Sequence, residues 1–133
     1  MGVMAKESPE RVLIVEDDAS MAMAMQSALS RRRYATALAG TCGGGLCMAR
    51  KTRPTLVVLD IYLPDGTGWE LLRSLRRTQE PPPAVVAVSA GEVRRSDLRA
   101  YGVDAFLSKP FDMSRLVEAV ERLTAPAGKG HGP

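Results

Sequence analysis

Four short apolar runs punctuate this chain, and each ends in a residue able to do chemistry. Residues 12–15 (Val-Leu-Ile-Val) run into Glu16, Asp17 and Asp18, and residues 56–59 (Leu-Val-Val-Leu) run into Asp60. Residues 84–88 (Ala-Val-Val-Ala-Val) run into Ser89, and residues 105–107 (Ala-Phe-Leu) run into Ser108, Lys109 and Pro110. Strands of a parallel sheet are buried on both faces and therefore read as unbroken apolar runs. Open sheets of this kind bind ligands at the carboxyl ends of their strands. The acids, a hydroxyl and a lysine are thus expected to meet along one sheet edge, which would be a site for a cation and a phosphoryl group.

The apolar period alternates along the rest of the chain. A first strand over 11–15 precedes a helix over 19–32, in which Met21, Met25, Ala28 and Leu29 share one stripe. A strand at about 34–38 and a helix over 42–52 follow. Three glycines in that helix, Gly43 to Gly45, should each weaken its first turn by roughly 1 kcal/mol. A strand over 55–60 leads through Pro64, Asp65 and Gly66 into a helix carrying Leu71, Leu72 and Leu75. Pro81, Pro82 and Pro83 break the chain before the fourth strand. A helix over 92–101 closes at Gly102, a suitable C-terminal cap. A last strand over 104–108 precedes a helix with Asp112 or Ser114 near its start and Leu116, Val117, Val120 and Leu123 inward. Five βα units predict a three-layer, doubly wound α/β fold. The expected organisation is a disordered arm over 1–10, one domain over 11–124 and a Gly/Pro-rich disordered tail or linker over 125–133.

Composition excludes several function classes. No apolar stretch is long enough to span a bilayer or to serve as a signal-peptide core, so membrane association is not expected and the protein reads as cytoplasmic. Position 6 is lysine where a myristoylation signal needs Ser or Thr. The one histidine, His131, lies in the tail, which excludes most His-based metal sites and any Ser/His or Cys/His nucleophile in the folded part. Cys42 and Cys47 diverge on a helix and read as reduced structural thiols. Net charge is +3, but the clusters Arg31–Arg33, Arg76–Arg77 and Arg94–Arg95 fall on different elements, and aromatic content is only 5%. Solvated helix ends explain them better than a nucleic-acid surface, for which stacking residues are too few.

Taken in order, the residues resemble those of the receiver domains of two-component response regulators. The resemblance spans about 11–124 and rests on Val12–Asp18, Leu59–Gly68, Val88–Ala90 and Phe106–Phe111. It implies a flavodoxin-like (βα)5 fold with a five-stranded parallel sheet in the order 2-1-3-4-5. It implies a phosphorelay component rather than an enzyme acting on other molecules, one that catalyses only its own phosphorylation and dephosphorylation. Asp60 would be the nucleophile and acceptor, with a phosphohistidine on a sensor histidine kinase or phosphotransfer protein as donor. Asp17, Asp60 and the backbone carbonyl of Tyr62 would hold Mg²⁺, with Glu16 partly through water. Lys109 would pair with Asp60 at rest and grip the phosphoryl group together with Ser89, next to a cis Lys109–Pro110 bond. Ser89 and Phe106 would form the switch, changing partner affinity on the face of helix four, strand five and helix five. Phe106 stands where tyrosine is commoner.

The physical reading agrees with that resemblance. Glu16, Asp17 and Asp60 would set like charges close together, which raises their proton affinity unless a cation neutralises them. Hard oxygen ligands suit Mg²⁺, and Lys109 turns a bare acid cluster into a phosphoryl site. Duller readings stand beside these: Asp18 caps a helix, Ser89 forms a turn, Phe106 packs in the core, and Gly68 loosens a turn. The resemblance also implies that the positions of Tyr62 and Gly91 tune how water reaches the acyl phosphate. A bulky Tyr62 would shield the site and Gly91 offers no group to orient water, so a long-lived phosphoryl-aspartate is expected. The expected partners are the kinase or phosphotransfer protein and then a downstream protein, an output domain or a second copy joined on phosphorylation. The tail fits a stand-alone receiver and a piece of a longer regulator equally well. A pseudo-receiver, which binds partners without phosphorylation, is the alternative. A flavodoxin-like cofactor binder is disfavoured, because acids stand where a phosphate-cradling loop would.

Overall fold

Strands and helices alternate along residues 10–125, the part of the chain that the computed structural model describes, with one small hairpin as the exception. The order is β1 (Arg11–Val15), α1 (Ala19–Ser30), β2 (Ala35–Ala39), α2 (Cys42–Thr52), β3 (Leu56–Asp60), α3 (Gly68–Thr78), β4 (Ala84–Ser89), α4 (Arg95–Ala100), β5 (Ala105–Ser108) and α5 (Met113–Thr124). The five strands form one parallel sheet in the order β2-β1-β3-β4-β5, the doubly wound arrangement expected. A small antiparallel hairpin, Tyr62–Leu63 with Gly66–Thr67, sits between β3 and α3 and was not foreseen. Apart from Glu10 and Ala125, the expected arm and tail lie outside the described residues. Among the described residues no helix is long and apolar enough to cross a membrane.

Side chains of a strand alternate between faces, and here each face meets its own pair of helices. Val12, Ile14, Leu56, Val58, Val86 and Val88 pack with Met25 and Leu29 of α1 and Leu116 and Val120 of α5. Leu13, Val15, Val57, Leu59 and Val85 pack with Ala49 of α2 and Leu71, Leu72 and Leu75 of α3. Residues 12–15 and 56–59 are essentially inaccessible, which is why they read as continuous apolar runs.

Several boundaries differ from expectation for local reasons. Helix α1 stops at Ser30 rather than 32, and Arg33 adopts a positive φ of 71°. Helix α4 begins at Arg95 rather than 92, and none of its residues is buried. Its sequence, Arg-Ser-Asp-Leu-Arg-Ala, offers Leu98 alone as an apolar anchor. Gly102 follows it at φ 69°, as a left-handed cap requires.

Helix α2 forms despite its three glycines because its first turn is capped twice. Thr41 Oγ1 accepts from Gly44 N–H at 2.9 Å. Asp65, from the far loop after β3, accepts from Cys42 N–H at 2.8 Å and from Gly43 N–H at 3.1 Å. These bonds hold the Asp65 carboxyl below its ordinary 3.8, while burial and the Asp65 charge push the Cys42 thiol up to about 11. A depressed carboxyl contributes stability above its unfolded value and loses it as pH falls through the folded one. Asp65→Ala is therefore expected to lower the melting temperature at pH 7. Its deficit against wild type should close as the pH falls below the ordinary carboxyl value of 3.8. Thermal melts of both proteins across that range check this, and a deficit that stays constant would show that the charge is not what caps α2.

Candidate functional site: an acidic cluster with one lysine

Strands β1 and β3 are direct neighbours, so their carboxyl ends bring Glu16, Asp17 and Asp60 together. Carboxylate oxygens from these residues all lie within 4.8 Å of one another. Glu16 is 3% exposed and Asp60 is 6% exposed, whereas Asp17 is open to solvent. Lys109 reaches in from the end of β5, with Nζ 2.9 Å from Glu16 Oε1 and 3.0 Å from Asp60 Oδ2. One cation thus serves two buried anions, with a third acid beside them.

The charge balance is incomplete. Burial pushes the Glu16 carboxyl up, against the pull of Lys109 and of a hydrogen bond donated by Asp18 N–H at 3.1 Å. For Lys109, burial favours the neutral amine, but its bonds to Glu16 and Asp60 prevail and hold the ammonium above its ordinary range. Glu16 Oε1 is buried, and its close polar contact is the Lys109 ammonium at 2.9 Å. A carboxylate oxygen can accept from more than one partner, so Oε1 keeps acceptor capacity beyond the lysine. Hard carboxylate oxygens with unspent acceptor capacity fit a small divalent cation.

The remaining residues expected at the site are placed as follows. Asp60 Oδ1 accepts from Tyr62 N–H at 3.1 Å, which orients the carboxylate, and the Tyr62 ring is 53% exposed. Tyr62 Oη donates to the Glu92 carbonyl at 3.3 Å, which ties the loop after β3 to the segment before α4. Ser89 is fully buried at the end of β4, but its hydroxyl turns away to Gly91, accepting from its N–H at 3.0 Å and facing its carbonyl at 3.3 Å. Phe106 is half-buried and packs against neither buried cluster, so plain core packing does not describe it. Asp18 caps α1 by accepting from Met21 N–H at 3.1 Å and takes no part in the cluster. The Lys109–Pro110 bond is cis, as is Glu80–Pro81.

Two features escaped the sequence reading. The direct pairing of Lys109 with Glu16 as well as Asp60 depends on how deeply β1 ends beside β3. Gly68 has a structural reason beyond a loose turn: its N–H donates to the Ile61 carbonyl at 2.6 Å. A Cβ at that position would stand 2.9 Å from Leu59 Cδ2 and 3.1 Å from the Asp60 carbonyl oxygen. Only glycine lets α3 start so close to the acidic strand end.

Residues 12–121 match the response regulator receiver domain family. The chain is 35% identical over 105 residues to the KDP operon transcriptional regulatory protein KdpE of Escherichia coli (strain K12), covering 79% of this chain and 47% of that protein. It is 32% identical over 127 residues to the response regulator MprA of Mycobacterium sp. (strain KMS), covering 94% of this chain and 55% of the relative. The chain thus spans about half the length of the curated relatives it matches. Among solved structures, it is similar to a CheY-like response regulator receiver domain protein from Methanospirillum hungatei JF-1, with a TM-score of 0.81 and 28% identity, covering 87% of this chain and 94% of that one. The fold is shared with the chemotaxis response regulator CheY4 of Vibrio cholerae, at a TM-score of 0.80 and 23% identity, covering 86% and 98%.

Proposed function

The chain belongs to the response regulator receiver domain family, and from that membership we propose that Asp60 accepts a phosphoryl group from a phosphohistidine on a sensor histidine kinase or phosphotransfer protein. The observation that carries this reading is a buried carboxylate at a strand end, 3.0 Å from a lysine ammonium and beside two further acids. A carboxylate oxygen of Asp60 attacks phosphorus in line, the new O–P bond forms, and the bond from phosphorus to the histidine nitrogen breaks. The imidazole leaves with its electron pair. Phosphoryl transfer of this kind depends on positioning and charge neutralisation more than on proton movement.

Each residue has a defined part. Tyr62 N–H holds Asp60 Oδ1, leaving Oδ2 toward Lys109. Lys109 then shifts its charge from the free carboxylate to an oxygen of the phosphoryl group, a task suited to a compact ammonium on a flexible stem. Mg²⁺, held by Glu16, Asp17, Asp60 and the Tyr62 backbone carbonyl, would neutralise charge on the phosphoryl oxygens. Ser89 is engaged by Gly91 at rest, so its hydroxyl must turn to meet a phosphoryl oxygen. Phe106, two residues before Ser108 on the neighbouring strand, fills the space released. That pair makes a local charge change into a change of surface on α4, β5 and α5. The partners of that surface are a downstream protein, an output domain or a second copy of the chain, and the protein works in the cytoplasm.

Intact mass after incubation with acetyl phosphate and Mg²⁺ tests this proposal. One phosphoryl adduct is expected on wild type and none on Asp60→Asn, and the adduct should outlast minutes because Tyr62 screens the mouth and Gly91 presents no acid or amide to water. Absence of an adduct on wild type would overturn the acceptor role and leave a protein-binding module of the same fold. Loss of the adduct within seconds would overturn the shielding role of Tyr62.

A further inference from the structure

Helix α4 is short, buries none of its residues and gives no side chain to either core cluster. A cavity of about 280 Å³ opens beside the turn that leaves the helix, lined among others by Leu72, Leu75, Arg76, Val85, Tyr101 and Asp104 and by no residue of α4 itself. A helix this poorly seated needs other contacts to define its position. Among the described residues, two side-chain hydrogen bonds reach segment 91–102 from α3 or the loop before it. At the entrance, Tyr62 Oη bonds the Glu92 carbonyl at 3.3 Å. At the exit, Arg73 Nη2 donates to Tyr101 Oη at 3.1 Å.

The exit contact is reinforced by stacking. The Trp69 and Tyr101 rings lie 4.7 Å apart at 25°, and the Arg73 guanidinium stands 5.9 Å from the Tyr101 ring centre. Trp69 and Arg73 are four apart on α3 and so share one helix face. Trp69 directly follows Gly68, whose N–H donates at 2.6 Å to the carbonyl of Ile61, the residue after Asp60. Tyr62 is two residues beyond Asp60. Both tethers of α4 therefore begin in the segment that leaves the acceptor strand, and little else holds the helix.

We infer that Trp69, Tyr101 and Arg73 form a latch that fixes α4 at rest, and that opening this latch is part of the response to phosphorylation of Asp60. The second half of this inference rests on the acceptor reading above. Trp69 and Tyr101 are positioning residues, acting through α4 and never touching the phosphoryl group. Stability at this joint resists the response: whatever strengthens the stack biases the protein toward rest, and whatever weakens it lowers the threshold for activation.

Two variants test it. Tyr101→Leu keeps apolar cover over the cavity but removes the stack and the hydroxyl, and Tyr101→Phe removes the hydroxyl alone. In unphosphorylated Tyr101→Leu, amide hydrogen exchange over 92–102 is expected to rise roughly two- to twelvefold, the factor an aromatic pair supplies, with the sheet amides unchanged. Tyr101→Phe should fall between it and wild type. By reciprocity, Tyr101→Leu should bind trifluoroberyllate with Mg²⁺, a phosphoryl mimic, tighter by a similar factor. That ligand should also change the emission of wild-type Trp69, the single tryptophan of the chain. Unchanged exchange over 92–102 in both variants would overturn the latch. Faster exchange with equal affinity for the mimic would overturn its coupling to Asp60. If trifluoroberyllate bound neither protein, the acceptor reading itself would fail, the coupling with it, and faster exchange would uphold the tether alone.

Discussion

Lys109→Met should be the most damaging single substitution at the site, lowering stability by about 3 kcal/mol at pH 7 without divalent metal. The lysine side chain is 18% exposed and pairs with Glu16 and Asp60, whose side chains are 1% and 8% exposed. Removing the ammonium leaves two buried carboxylates facing each other. They cannot both stay ionised there, and the cheapest escape is for one to take up a proton. Protonating at pH 7 a carboxyl whose ordinary value is 4.5 costs about 3 kcal/mol, at roughly 1.4 kcal/mol per pH unit. That escape bounds the penalty, which corresponds to about 10–15 °C in melting temperature for a chain of this size.

The pH dependence follows with its sign. Burial already raises the Glu16 carboxyl, and without Lys109 it would rise further. An acid that binds its proton more tightly when folded loses stability as pH rises from its unfolded toward its folded value. The deficit of Lys109→Met should therefore shrink near pH 5 and be largest at neutral pH and above. Thermal melts of wild type and variant in EDTA across that range decide the matter. A deficit under about 1 kcal/mol, independent of pH, would mean that the pair behaves as a screened surface ion pair.

The parts of this arrangement that were legible in the sequence are those that depend on one strand at a time. Residues 12–15 and 56–59 announced themselves because both faces of each strand are covered. Their acids followed because a parallel sheet delivers all its strand ends to one edge. Helix α4 was set too long because Gly102 marked its end clearly while nothing local marked its start. The chain over 90–94 is spent on turning past Ser89 and Tyr62, and Leu98 alone cannot define a helical face. Contacts between distant segments were invisible for a different reason. Asp65 was read as part of a Pro-Asp-Gly turn, and its capping of α2 exists only because that turn folds back over Cys42 and Gly43. The Trp69–Tyr101 stack likewise requires α3 and the end of α4 to be adjacent, and no spacing in the chain encodes that.

Asp60→Asn should act in the opposite sense to Lys109→Met, raising stability in metal-free buffer by about 1–2 kcal/mol. The magnitudes compete closely. Two like charges within 4.8 Å repel the Asp60 carboxylate by about 3–4 kcal/mol each at an effective dielectric of 20. Lys109 at 3.0 Å attracts it by about 5–6 kcal/mol on the same scale. The repulsions together exceed the attraction slightly, and the desolvation of a carboxylate that is 6% exposed adds to their side. The asparagine carbonyl can still accept from Tyr62 N–H, so the loop after β3 keeps its anchor, and Lys109 keeps Glu16. Magnesium should reverse the ranking, because a ligand stabilises only the state that binds it, by RT ln(1 + [L]/Kd). Wild type presents one carboxylate more, so millimolar Mg²⁺ should raise its melting temperature further than that of Asp60→Asn. A variant less stable than wild type in EDTA would mean that the Lys109 pair outweighs the repulsion and that Asp60 anchors the fold. If Mg²⁺ stabilised neither protein, the cluster of Glu16, Asp17 and Asp60 would not be a cation site.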